Sequence, residues 1–354
     1  MTSLSRRPAA LTQAEIARLC AVSQATVSLV LRDPETARVS ASTRDRILQA
    51  VADRPIRPVQ RRRGRRIGLL ANFGTHPGIA GYAERLVAGV QERAASYKRN
   101  VVVDSLASGR PLFDHQFVAS CAGLVVCHLR ITEDQVAKVL DAGVPVVLLE
   151  CDAGTERCDV VRVDNCGSVV LAVRHLAEQG HRRIAWYGQR PDGNSWPHGR
   201  AHFERLAAFR TACAAFGLDE DPDLIGIVDH EAGPSDATRR LLERWRSLPE
   251  PPTAVACYND LHALTVQREA QSLGWEVPAQ LSIIGIDAIA PGALSVPALT
   301  TVDPCLEQLG RAAIDQVMLR LENDEAAMPT IIHCHPRLVP RASVAAPTVE
   351  KDMP

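Results

Sequence analysis

Between Leu11 and Asp53 the apolar positions recur at helical spacing in three short bursts. Thr12-Gln13-Ala14-Glu15 has the spacing of a capping box, in which the Thr12 hydroxyl accepts from the Glu15 amide and the Glu15 carboxylate reaches back. Ala14, Ile16, Ala17 and Leu19 then form one core-facing stripe to about Cys20. Ala21-Val22 breaks the pattern, and Ser23 is a second N-cap for a helix from Gln24 to Leu31. A third helix is predicted from Ser42 or Thr43 through Ile47, Leu48 and Val51 to about Asp53. Three such helices can share one small core while the second projects its polar N-terminal face, the arrangement with which a helix-turn-helix enters the major groove. A generic three-helix bundle is the plain alternative.

From Ile67 the texture changes to short continuous apolar runs separated by amphipathic helices. Ile67–Phe73, Val101–Val103, Gly123–Cys127 and Val144–Leu149 read as buried strands, with a helix near 81–97. A second set is predicted to begin around Val160, with strands at Arg183–Gly188, Ile225–Val228, Thr253–Cys257 and Leu281–Ile286 and helices over 201–216 and 260–272. Uninterrupted apolar strands alternating with helices mean parallel sheets covered on both faces. The predicted fold is a small all-α helix-turn-helix head plus an α/β body of two Rossmann-like subdomains. Ligands bind such sheets outside the strand C-terminal ends, so a cleft between the two is the expected pocket.

Charge sharpens this division. Residues 1–66 hold fourteen arginines and no lysine against five acids, a balance of +9, whereas the remainder holds 26 basic and 36 acidic residues, a balance of −10. A basic head suits a polyanion, because neutralising phosphates releases condensed counterions. With 46% hydrophobic residues the composition is that of an ordinary globular protein. No run approaches the ~18 apolar residues of a membrane helix, and the N-terminus lacks a secretory layout, which predicts a cytoplasmic protein without membrane partners. Ten cysteines without a C-x-x-C pair read as reduced thiols, mostly buried. His333-Cys334-His335 alternates faces on a predicted late strand and cannot present all three side chains to one metal. G-x-S-x-G, G-x-x-x-x-G-K-[ST] and H-E-x-x-H are all missing, so the expectation is a protein with no catalytic role, cofactor or metal.

Leu11-Thr12-x3-Ile16-Ala17-x3-Ala21-Val22-Ser23-x2-Thr26-Val27-Ser28-x-Val30-Leu31, followed by Val39-Ser40-x2-Thr43-Arg44-x2-Ile47, resembles the N-terminal signature of LacI/GalR-type transcriptional repressors. The body carries further matching segments, among them Val163-Asp164-Asn165, Gly180-His181-Arg182-Arg183-Ile184-Ala185, Asn259-Asp260 and Leu281-Ser282-Ile283-Ile284-Gly285-Ile286-Asp287. The resemblance implies a periplasmic-binding-protein-like effector domain and a homodimer on a pseudo-palindromic operator. It places Gln24, Ala25, Ser28 and Leu29 against base edges, with Arg32 on the same helix, and Thr12, Ser23, Thr26 and Arg44 on phosphates. Gln can pair bidentately with adenine, and Ala can touch a thymine methyl. Leu29 stands where the family often has Arg, and Ala21 where a turn Gly is usual.

The expected domains are 1–56 for the head, 57–66 for an Arg-rich hinge, 67–340 for the body and 341–354 for a disordered tail. The family usually has a short helix with a minor-groove leucine at the hinge. Here Ile56-Arg57-Pro58-Val59 runs into Gln60-Arg61-Arg62-Arg63-Gly64-Arg65-Arg66, shorter and without leucine. Arg61, Arg62 and Arg63 either track a narrow minor groove or form a solvated linker.

In the body, Phe73, Asp164, Asn259 and Asp287 sit at or beside predicted strand ends, and Arg205 lies early in a helix. Carboxylates, amides and one Arg converging on a cleft suit a hydroxyl-rich, sugar-like small molecule, with Phe73 or Tyr82 stacking on an apolar face. By resemblance Arg205, Asp164 and Asp287 are the foremost effector contacts, with Asn259 next. Asp260, opening a helix, reads better as a structural cap. A cytoplasmic solute-binding protein, and a degenerate regulator with weak, non-specific DNA binding, stay open as alternatives.

Overall fold

The computed structural model describes residues 13–32, 39–52, 65–71, 80–105, 115–127, 132–141, 143–151, 157–189, 199–228, 234–322 and 328–348. The chain divides into two units, Met1–Gly64 and Arg65–Pro354.

The first unit contains α1 (Gln13–Leu19), α2 (Gln24–Arg32) and α3 (Ala41–Ala52). Ile16, Ala17, Cys20, Val27, Val30 and Ile47 bury one small core among the three helices. The α1–α2 turn keeps a left-handed residue, Ala21 at φ 49°, so an ordinary side chain bears a conformation that costs about 1 kcal/mol more than it would for glycine. Ser23 caps α2: its hydroxyl accepts from the Thr26 amide at 3.0 Å. Ser40 does the same for α3, accepting from the Thr43 amide at 3.3 Å. That cap moves the start of α3 one or two residues ahead of the position expected from Ser42 or Thr43. The capping box at Thr12 lies outside the described residues.

The second unit begins with β1 (Arg66–Ala71), α4 (Ala80–Ser96), β2 (Asn100–Ser105), α5 (His115–Ser120), β3 (Gly123–Cys127), α6 (Glu133–Asp141), β4 (Val146–Leu149) and β5 (Asp159–Val163). It continues with α7 (Asn165–Glu178), β6 (Ile184–Gln189), α8 (Gly199–Ala215), β7 (Ile225–Val228), α9 (Pro234–Arg246), β8 (Ala254–Cys257), α10 (Asp260–Ser272), β9 (Ser282–Ile286), α11 (Ala290–Leu294) and β10 (Thr300–Asp303). The last described elements are α12 (Leu306–Glu322), β11 (Ile331–Cys334) and β12 (Arg337–Val339). Two six-stranded sheets result, ordered β11-β5-β4-β3-β1-β2 and β12-β10-β9-β8-β6-β7. Every pairing is parallel except β12 against β10. Strands such as β3 and β9 are buried at every residue, as sheets with helices on both faces require.

The chain passes between the lobes three times, from β5 to α7, from β10 to α12 and from β11 to β12. Two expectations are corrected here. The segment around Val160 does not open the second lobe; as β5 it pairs with β4 and β11 in the first sheet, and the crossing follows it. Residues 341–348 of the expected disordered tail are strapped to the second lobe. Ser343 is fully buried, its hydroxyl donating to the Ile283 carbonyl at 2.5 Å and accepting from the Thr300 amide at 2.8 Å. Buried main-chain groups need partners, and this short Ala/Ser segment supplies them for the ends of β9 and β10.

All ten cysteines are unbridged, and eight are buried. On β11, His333 is exposed and Cys334 half-buried, so the strand alternates as its spacing predicts. Among the described residues no group of His, Cys, Asp and Glu could hold a metal ion.

Within the first lobe, α4 and α12 pack closely against each other. A Cβ on Gly89 would fall 2.0 Å from the Glu307 carbonyl oxygen, and one on Gly310 2.3 Å from that of Leu86. Only glycine permits that backbone approach.

Candidate functional site

In the first unit, Gln24 and Ala25 are the exposed first two residues of α2, and Leu29, one turn on, is 44% exposed. Ser23 is exposed and Thr26 half-buried, and their hydroxyls bond each other at 2.8 Å. Arg44 is half-buried in the first turn of α3. The first turn of a helix presents unpaired N–H groups and positive dipole, which favours a phosphate nearby. Thr12, Arg61, Arg62 and Arg63 lie outside the described residues, as do the side chains of Ser28 and Arg32.

In the second unit, the polar residues gather where strands end. Glu150 follows β4, Asp164 follows β5, Tyr258 and Asn259 follow β8, and Asp287 follows β9. Arg205, on the second turn of α8, is buried among them. Its Nη1 donates to the Tyr258 carbonyl at 2.5 Å and its Nε to Asn165 Oδ1 at 2.8 Å. The guanidinium lies 4.8 Å from the Tyr258 ring centroid, a cation–π contact strengthened by burial. His202 stacks flat on the same Tyr258 ring, with the centroids 3.9 Å apart.

Asp287 is 8% exposed, and its Oδ1 accepts no hydrogen bond. The nearest cation, Arg205 Nη2, is 3.6 Å away, an ion pair too long to be a hydrogen bond. Burial pushes the Asp287 carboxyl up to about 7, with Arg205 pulling it back and Asp260 and Glu150 pushing it further. Such a carboxyl is a site in want of a donor.

From the first lobe, Tyr82 on α4 donates its hydroxyl to Glu150 Oε2 at 2.9 Å, and the Val163 amide donates to Glu150 Oε1 at 2.5 Å. Burial raises the Glu150 carboxyl above the ordinary range, while these donors hold it down. The two lobes therefore face each other with Tyr82 and Glu150 on one side and Arg205, Tyr258 and Asp287 on the other.

Asp164 and Asn259 sit beside this group but have work of their own. Asp164 caps α7 by accepting from the Gly167 amide at 2.7 Å. Asn259 caps α10, accepting from the His262 amide at 3.0 Å and lying 2.6 Å from His262 Nδ1. Asp260 is buried behind them and saturated, by Thr301 Oγ1 at 2.5 Å and the Ile289 amide at 2.9 Å. Phe73 lies outside the described residues. Glu150 and Tyr258 escaped the sequence reading, although each ends an apolar strand, which is the signal that singled out Asp287.

The arrangement matches known proteins over both units. Residues 12–54 match the model of bacterial regulatory proteins, lacI family, and residues 173–344 that of a periplasmic binding protein-like domain. The HTH-type transcriptional repressor CytR of Escherichia coli (strain K12) is 30% identical over 321 residues, 87% of this chain and 89% of that one. The HTH-type transcriptional repressor PurR of Aliivibrio salmonicida is 26% identical, over 93% of this chain and 98% of its own. Among solved structures, the cellobiose complex of the transcriptional regulator CelR superposes with a TM-score of 0.64 at 25% identity, covering 94% of this chain and 99% of that one. These relatives are transcriptional regulators and not enzymes. With a lacI-type head, a two-lobed binding body and the 30% identity to CytR over 87% of its length, the chain belongs to the LacI family of transcriptional regulators.

Proposed function

We propose that this regulator is a cytoplasmic homodimeric repressor that reads a pseudo-palindromic operator and releases or tightens on it when a small hydroxyl-rich molecule enters the cleft. The observation that carries the cleft reading is the buried, unpartnered Asp287 Oδ1 beside Arg205 at the strand ends. A carboxylate oxygen that lacks a donor, beside an Arg205 whose Nε and Nη1 are held by Asn165 and Tyr258 while Nη2 makes no hydrogen bond, favours a ligand that offers hydroxyls. Arg205, Asp287, Asp164 and Asn259 line its place, with Phe73 contributing an apolar face. The CelR relative was solved with cellobiose, which is consistent with a sugar-like class.

In the head, Gln24, Ala25, Ser28 and Leu29 read base edges, while Thr12, Ser23, Thr26, Arg32 and Arg44 hold the backbone. One three-helix head offers few contacts, and two-fold symmetry doubles them at a fixed half-site spacing. No described helix is long and apolar enough to cross a membrane.

Arg61, Arg62 and Arg63 add phosphate or minor-groove contacts. Replacing all three with glutamine is expected to lower the slope of log affinity against log salt by about 2–3 for each copy bound, about 5 for the dimer; an unchanged slope refutes this role.

The test of the whole reading is selection of random duplex DNA on the full-length protein at about 150 mM salt, where non-specific phosphate binding is weak. A palindrome is expected to be enriched. Enrichment of a single half-site would refute the dimer, and no enrichment would favour weak, non-specific binding instead.

A further inference from the structure

The turn that carries Asp287 is held from both lobes. Asp287 and Ala288 have φ of 121° and 52°, and neither is glycine, so the surroundings must over-determine the turn. Its N–H groups are held by its own lobe: Asp287 N donates to the Val302 carbonyl at 2.9 Å, Ala288 N to Thr301 Oγ1 at 3.4 Å and Ile289 N to Asp260 Oδ2 at 2.9 Å. Its carbonyls are held by Arg85, which belongs to α4 of the other lobe. Arg85 Nη1 donates to the Asp287 carbonyl at 2.7 Å and to that of Ala288 at 3.4 Å.

The same guanidinium is braced at the crossing between β10 and α12. Nε and Nη2 grip the two oxygens of Glu307, each at 2.7 Å, and Nη2 also donates to Asp303 Oδ1 at 2.9 Å. A bidentate fork on a carboxylate fixes direction as well as distance. The backbone that carries Glu307 is fixed, because its carbonyl lies against Gly89, one turn beyond Arg85 on α4. Every donor of the side chain is thereby aimed, and the free end of the fork points at the carbonyls of the turn.

We propose that Arg85 is a positioning residue of the effector cleft: by holding the Asp287–Ala288 carbonyls from the opposite lobe, it keeps the Asp287 carboxylate aimed beside Arg205 and ties that aim to the spacing of the lobes. The inference rests on the reading of the cleft as the effector site. Separating the lobes breaks the carbonyl contacts and frees the turn to relax. Conversely, a ligand that fixes Asp287 strengthens the link to α4.

The test reads Asp287 directly and needs no ligand. Full-length protein labelled with carbon-13 at aspartate Cγ is titrated by NMR, and Asp287→Asn, by deleting one resonance, assigns it. The groups that face this carboxyl are Arg205 and Arg85, which lower its titration, and Asp260 and Glu150, which raise it; Tyr82 and Tyr258 complete the surroundings. In the wild type its midpoint is expected at about 7. In Arg85→Gln, a carboxylate released from its buried place is expected to titrate about two units lower. If Arg85 were merely a nearby positive charge, its loss would leave the midpoint in place or raise it, and that result overturns the proposal. Arg85→Lys keeps the charge and can reach one carbonyl but lacks the fork; a smaller downward shift is expected. That variant decides the matter should Arg85→Gln not fold, and a midpoint that fails to move down in it overturns the proposal too. An unmoved titration would sink the clamp while the effector reading stands or falls by its own ligand and operator titrations.

Discussion

The two ends of β9 present buried polar groups in opposite conditions. At its start, Ser282, His181, Thr300 and Ser343 are all buried and all bonded: the Ser282 hydroxyl donates to Ala345 O at 3.1 Å, His181 Nε2 lies 2.9 Å from the same carbonyl, and Ser343 serves both Ile283 and Thr300. At its end, Asp287 is buried as deeply as many core residues, yet one carboxylate oxygen accepts nothing. Both ends carry the cost of dehydrating polar atoms, but only the first recovers it within the chain. Burial alone does not mark a functional group; Asp287 is set apart by an unpartnered carboxylate oxygen at the strand ends, beside Arg205. Asp260, three residues past the end of the neighbouring strand β8 and bonded by Thr301 and Ile289, makes the same point in the second lobe.

This contrast can be broken most forcefully through pH. The folded protein holds Asp287 at about 7, whereas a carboxyl in an unfolded chain titrates near about 3.9. A folded value raised above the unfolded one means that the stabilisation is fully present below about pH 4 and is lost as pH rises through about 7. The stability of the ligand-free protein relative to Asp287→Asn should therefore fall by something on the order of 3 kcal/mol between pH 4 and pH 8. Urea midpoints of the two proteins at matched pH give the difference; parallel curves would show that Asp287 is already satisfied.

At the opposite end the effect should be independent of pH and purely structural. Ser343→Ala leaves the Thr300 amide and the Ile283 carbonyl without their side-chain partner, and a loss of about 2 kcal/mol is expected in urea denaturation, with DNA binding below the transition unchanged. A loss below measurement would mean that the strap is dispensable and the contrast between the two ends illusory.

The smallest expected effect is in the head. Ala21→Gly relieves a left-handed alanine and should stabilise the head by about 0.5–1 kcal/mol, offset in part by the greater freedom of glycine in the unfolded chain. Hydrogen exchange of α1 and α2 amides in the full chain reports it; weaker protection would show that the turn gains nothing from glycine.

Much of this architecture was legible. Continuous runs such as Gly123–Cys127 and Ile225–Val228 are parallel strands with the expected bounds, the first buried throughout and the second an edge strand that leaves Ile227 exposed. The assignment of β5 to a lobe was not legible, since sheet membership is decided by where the chain crosses and not by local pattern. Nor was the strap at 341–348, whose small and Pro-containing sequence reads as loose until the waiting partners on β9 and β10 are seen. Asp287 and Arg205 were visible as polar residues at element ends. Arg85 was not, because its partners lie 202 to 222 residues away and nothing in its helical surroundings marks it. Tyr82 was visible only as a stacking ring, and its hydroxyl bond to Glu150, 68 residues on, appears once β4 is placed.

If the cleft at Asp287 controls the head's hold on DNA, as proposed, operator titration shows it most directly. Fluorescence anisotropy would follow the selected palindrome against full-length wild type and Asp287→Ala, each with and without a metabolite extract. The extract should change the affinity of the wild type by about 5- to 150-fold, the usual range of allosteric coupling, and leave that of Asp287→Ala unchanged. An extract that shifts both proteins equally would contradict a role for the cleft, and one that shifts neither would contradict control by a small molecule.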